Sequence, residues 1–101
     1  MFSDVDFLER LEILLDQPGM FNIQRVEDIQ MIFTAEIHIN RNESVGDWSL
    51  RFSRFVIEDC NTDLQNFDWS RIIRLYSGSD AHSIDLFKTL VKRFSESQVK
   101  R

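Results

Sequence analysis

The chain has 101 residues, with 17 Asp and Glu against 12 Lys and Arg, a formal net charge of −5. That length suits a single domain over 1–101, and 43% apolar residues, nine of them Phe, provide a core and exclude a disordered chain. No apolar run approaches the ~18 residues of a membrane span, the acidity argues against direct nucleic-acid binding, and the single Cys60 excludes a disulfide framework or a multi-cysteine zinc site.

The charge is unevenly placed. Residues 1–68 hold 14 acids and 5 bases, whereas residues 69–101 hold 3 acids and 7 bases. Such a split predicts an acidic surface from the first two thirds and a basic final helix. Asp4, Asp6 and Glu9 stand where a secretory leader would be basic, so the expected location is the cytoplasm.

Residues 4–16 predict a helix. Ser3 can cap it, Asp4 and Asp6 suit its positive start, and Phe2 and Phe7 occupy the positions of a hydrophobic staple. Leu8, Leu11 and Leu15 form one stripe, widened by Val5, Phe7 and Leu14. Gln17-Pro18-Gly19 stops the helix.

Residues 29–39 alternate apolar Ile29, Met31, Phe33, Ala35, Ile37 and Ile39 with a mostly polar second set, which predicts a strand open to water on one face. A short extra strand has room at 21–25. Asn40 to Asp47 reads as a polar hairpin loop. Residues 48–57 read as the next strand, although Trp48, Leu50 and Phe52 fall on one face while Phe55 and Ile57 fall on the other, so a bulge or two covered faces are required.

Glu58 to Asp68 reads as a long polar loop, the kind more often functional than a tight turn. Residues 70–76 predict a third strand, and Ser77-Gly78-Ser79-Asp80 a turn ending in a helix cap. The final helix, about 81–97, carries Ile84, Phe87, Leu90, Val91 and Phe94 on one stripe. The fold expected is therefore α+β: an antiparallel sheet of three to four strands with the N-terminal and C-terminal helices packed on one face, in the order α-β-β-β-α.

Catalytic and metal-binding constellations are weak. Asp59-Cys60-Asn61-Thr62-Asp63 opens like a calcium loop, but Leu64 stands where the turn needs Gly and Ser70 where a bidentate Glu belongs. Cys60, His38 and His82 show no spacing for a nucleophile and base or for zinc. The paired carboxylates Asp4/Asp6, Glu27/Asp28 and Glu58/Asp59 are neighbours in helix starts or loops, and the three glycines stand singly at turns. No enzyme activity, cofactor or metal is expected. Lys88 and Lys92 share a helix face within a basic set that includes Arg71, Arg74, Arg93, Lys100 and Arg101, which reads first as a solvated helix face.

The most suggestive feature joins acids and aromatics in the expected loops: Asp47 with Trp48, then Glu58, Asp59, Asp63, Phe67, Asp68 and Trp69. Interfaces concentrate energy in aromatic anchors, and charge complementarity speeds encounter. These eight residues are the expected partner-binding set, with Phe67 and Trp69 equally suited to closing the core. The function expected is a small acidic protein-binding domain. Its most concrete form is an immunity protein or inhibitor that neutralises a basic partner such as a toxin nuclease, whose active site is positively charged to hold phosphates. The alternative is a dimeric assembly or secretion-chaperone subunit, with a homodimer built on the second face of strands 48–57 and 70–76.

Overall fold

The leucine stripe and the C-terminal stripe both meet in a bundle of helices. The computed structural model describes residues 4–17, 22–62 and 68–99. Among these residues five helices follow in order: α1 (Asp4–Asp16), α2 (Val26–His38), α3 (Glu43–Asp59), α4 (Trp69–Leu75) and α5 (Asp80–Val99). There is no strand among the described residues. The first and last helices lie where the sequence predicts them, and Ser79 caps α5, its Oγ accepting from the His82 N–H at 3.1 Å. Ser3, Phe2 and Pro18-Gly19, invoked for the ends of α1, lie outside the described residues.

The expected α+β sheet is overturned, because each predicted strand hides a helical stripe. In 29–39 the buried residues are Ile29 and Phe33, preceded by Val26 and followed by half-buried Ile37, a spacing of three, four and four. The residues that completed the alternation are on the solvent side: Met31 is 67% exposed and Ile39 77%. The start of α2 is secured by Asp28, whose carboxylate accepts from the backbone N–H of Gln24 at 2.8 Å and of Arg25 at 3.2 Å. The suggested strand at 21–25 is also absent. Phe21 lies outside the described residues, and Ile23 to Arg25 form an irregular lead into α2 with Ile23 buried.

The bulge invoked for 48–57 disappears once the segment is helical. Val45, Trp48, Phe52 and Val56 form the buried stripe of α3, half-buried Phe55 and Ile57 flank it, and Leu50 is 67% exposed. The hairpin loop expected at 40–47 is shortened because Asn42 caps α3, its side-chain oxygen accepting from the Val45 N–H at 3.2 Å. The helix ends where Asn61 takes a left-handed conformation (φ 50°) and the Thr62 N–H donates to the Ile57 carbonyl at 3.2 Å. In 70–76, Asp68 caps α4, its carboxylate accepting from the Arg71 N–H at 3.1 Å. Trp69, Ile72 and Ile73 are buried, and Leu75 and Tyr76 are exposed.

Helix α3 packs against all four others. The buried apolar residues form one cluster, and aromatic rings make up its centre. Phe33 has ring centroids of Phe7, Trp69, Trp48 and Phe87 at 4.8, 5.1, 5.5 and 6.3 Å. Phe52 meets Trp48, Phe94, Trp69 and Phe87 at 4.8 to 5.8 Å. Most of these pairs are edge-on or tilted, the arrangements that ring quadrupoles favour. Two polar ties fix the helix ends around this centre. The buried Ser83 Oγ accepts from the Val26 N–H at 3.0 Å and donates to the Asp80 carbonyl at 2.6 Å, joining the starts of α2 and α5. Arg74 of α4 grips Glu27 of α2 through two hydrogen bonds of 2.8 and 2.7 Å and reaches Asp80 at 3.0 Å.

Candidate functional site

The residues singled out as a partner-binding set are distributed along α3 and into α4. Trp48 is buried at 5% exposure and Trp69 completely. Trp69 is moreover fastened from inside: its indole Nε1–H donates to Ser49 Oγ at 3.1 Å and its backbone N–H to Ser53 Oγ at 3.2 Å. Both tryptophans therefore hold α3 to its neighbours and have no surface to offer as anchors. Asp63 and Phe67 lie outside the described residues.

The acids remain on the surface, but they are not gathered. Asp47 and Glu58 are separated by about 16 Å along the axis of α3. Asp47 accepts from Arg51 Nε at 3.0 Å one turn away, and Asp59 accepts from Arg93 Nη1 of α5 at 3.1 Å. Asp68 is occupied as the cap of α4, where Ser70 Oγ also donates to it at 2.7 Å. Glu58 is exposed and makes no ion pair among the described residues.

The imagined chemistry of Cys60 and the two histidines has no geometry behind it. His82 Nδ1 accepts from the Gly78 N–H at 2.8 Å and so closes a turn, and His38 is exposed at the far end of α2. The Cys60 thiol is raised above its ordinary value, first by burial and then by the Asp59 carboxylate, with Arg93 opposing, which disfavours a nucleophilic thiolate. No group of three or more His, Cys, Asp or Glu among the described residues could hold a metal ion. Within the Arg74 clamp, the hydrogen bonds from Arg74 hold the Glu27 carboxyl below its usual range.

A concave feature of the described surface lies elsewhere, between α1 and α5. Both helices lean on the bundle, yet no Cα of α1 comes within 8 Å of α5. The space between them is a groove of about 700 Å³. Leu8, Leu11 and Leu15 line one side, and Phe87 and Val91 line the other. Each apolar row is shadowed by a charged row one residue further along the helix. Glu9, Glu12 and Asp16 follow the leucines, and Lys88 and Lys92 follow Phe87 and Val91. None of these five charged residues makes an ion pair with another described residue.

Paired aromatics and acids do not mark this groove. The signal was present in the sequence as two stripes offset by one residue, a rotation of about 100° around the helix, but only the separation of α1 from α5 turns those stripes into a cleft. No helix among the described residues is long and apolar enough to cross a membrane. No protein-family model, no curated protein and no solved structure matches the chain.

Proposed function

We propose that the chain is a cytoplasmic protein-binding domain whose acidic helices engage a partner with a basic surface, in the most concrete case as an immunity protein that neutralises a toxin nuclease. The observation that carries this reading is the charge of the first three helices. Together α1, α2 and α3 hold twelve Asp and Glu against three Arg. Internal pairing offsets little of it: Glu27, Asp47 and Asp59 are in ion pairs, while Glu9, Glu12, Asp16, Glu43 and Glu58 have no cationic partner among the described residues. A field of one sign accelerates encounter with the opposite sign and repels nucleic acid, so the domain would compete for a nuclease site and not for its substrate. With the tryptophans in the core, the contact is carried by charge and by the groove between α1 and α5.

The test is co-expression with the products of the reading frames flanking its gene. A toxic product whose effect this chain relieves is expected, together with a purified complex whose association slows as salt rises. Reversal of Glu43 and Glu58 to Lys should slow association further without unfolding the domain, since both side chains are exposed. Flanking products that are neither toxic nor bound by the chain would overturn the reading, as would a complex whose association ignores both salt and charge reversal.

A further inference from the structure

We infer that the groove between α1 and α5 receives an amphipathic helix of the partner, with basic residues along the edge that meets α1 and acidic residues along the edge that meets α5. The inference rests on the proposal that this chain binds a protein, and it names the element of that protein which docks. Three observations support it. The groove runs from Val5 to Asp16 on one side, about 16 Å, and from Phe87 to Ser95 on the other, about 12 Å, the length of two to three helical turns. Its apolar walls keep their exposed surface at Val5, Leu8 and Val91, above the buried Leu11, Leu15 and Phe87, while its two rims carry opposite charges unpaired among the described residues, the pattern that a helix with an apolar stripe between unlike flanks would match. Finally, no described element of a second copy fits. Among the described residues the large exposed apolar ones are Val5, Ile13, Met31, Ile39, Leu50, Leu75 and Tyr76, and no described helix assembles them into a stripe at three- and four-residue spacing. Seating α1 of another copy in the groove would also set two helices of five acids each side by side.

The probe is a synthetic helical peptide of about 18 residues, with Leu at spacings of three and four, Lys along one edge and Glu along the other. Fluorescence anisotropy should show saturable binding. Glu9→Lys with Glu12→Lys should weaken it roughly ten-fold. A chain that also carries Lys88→Glu and Lys92→Glu should regain affinity for the same peptide, which presents its Glu edge to α1 when it lies in the groove in the opposite direction. Amide shifts on binding should fall on Leu8, Leu15 and Val91. All the variants change exposed side chains, and circular dichroism confirms that they fold. No binding, binding indifferent to the rim charges, or shifts elsewhere would overturn the inference. So would a concentration-dependent dimer in light scattering that Lys88→Glu dissolves, which would assign the groove to a second copy. If the flanking gene's product still binds but is untouched by Glu9 and Glu12 reversal, the groove assignment fails while the acidic-surface proposal stands.

Discussion

Replacing Phe33 and its near neighbour Met31 separates the two ways of reading residues 29–39. In a strand the two side chains share a face; in α2 they differ by about 200° around the axis. Phe33 is fully buried among Phe7, Trp48, Trp69 and Phe87, whereas Met31 is 67% exposed. Phe33→Ala removes a ring from a packed aromatic centre and should cost about 3–5 kcal/mol, the transfer of the lost atoms plus the cavity they leave. For a domain of this size each kcal/mol lowers Tm by about 4–8 °C, so the fall should be at least ~12 °C. Domain stabilities of about 5–15 kcal/mol put that loss near the limit of folding, and Phe33→Leu, at about 1.5 kcal/mol, keeps the measurement in range. Met31→Lys should stay within about 0.5 kcal/mol, under ~4 °C. Thermal melts followed by the helical dichroism signal give both values. Comparable losses for Met31→Lys and Phe33→Ala would refute the helical account, because only a shared face makes the two positions equivalent.

Ser83→Ala should strip the buried Val26 N–H of its acceptor and destabilise the domain by about 1–3 kcal/mol, with faster hydrogen exchange at the Val26 amide as its local signature; an unchanged exchange rate there would contradict the tie. Glu27 is held below its ordinary value of 4.5 by Arg74, so its contribution is full above that value and is lost as pH falls through the lowered one. Glu27→Gln should therefore flatten the acid limb of the stability profile. At neutral pH it should cost less than about 1 kcal/mol, and less still in high salt, because both partners are substantially solvated. The Cys60 thiol should alkylate more slowly at neutral pH than an unhindered cysteine, and Asp59→Asn should speed it by removing the adjacent negative charge; a thiol as fast as a small-molecule thiol would refute the burial.

The sequence disclosed α1 and α5 because the main apolar stripe of each recurs at three and four, as Leu8, Leu11 and Leu15 and as Ile84, Phe87, Val91 and Phe94. The middle of the chain was ambiguous for a definite reason. Surplus apolar residues on the solvent side, Met31 in α2, Ile39 at its C-terminal end and Leu50 in α3, completed an alternation that the folded chain does not use. The difficulty at Phe55 and Ile57 was itself the helical signal: a face that changes midway along a strand is what a 3.6-residue period looks like when counted in twos. Asn42 and Asp68 were caps that read as loop residues, and recognising them would have started α3 and α4 in the right place. The site was less legible still, because an aromatic beside an acid has the same sequence whether it faces a partner or, as with Trp48 and Trp69, the core.

The charge split between the two parts of the chain takes a different meaning once the helices are in place. The described cations of the basic last third are not all kept for a separate positive face. Arg74 is taken up by Glu27 and Asp80, and Arg93 by Asp59, so two of its cations bind the later helices to the acidic earlier ones. Lys88 and Lys92 make no ion pair with another described residue, and they stand on α5, which α1 faces across the groove. Closing that gap by bringing α5 to α1 would pair them with Glu9, Glu12 and Asp16, yet α1 stays on α3, where Phe7 meets Phe33 in the aromatic centre. Exposed ion pairs contribute at most about 1 kcal/mol each, whereas pulling Phe7 from the core would cost several. Packing therefore holds the groove open against the attraction of its own rims, and the unspent charge on both edges is available to whatever helix fills it.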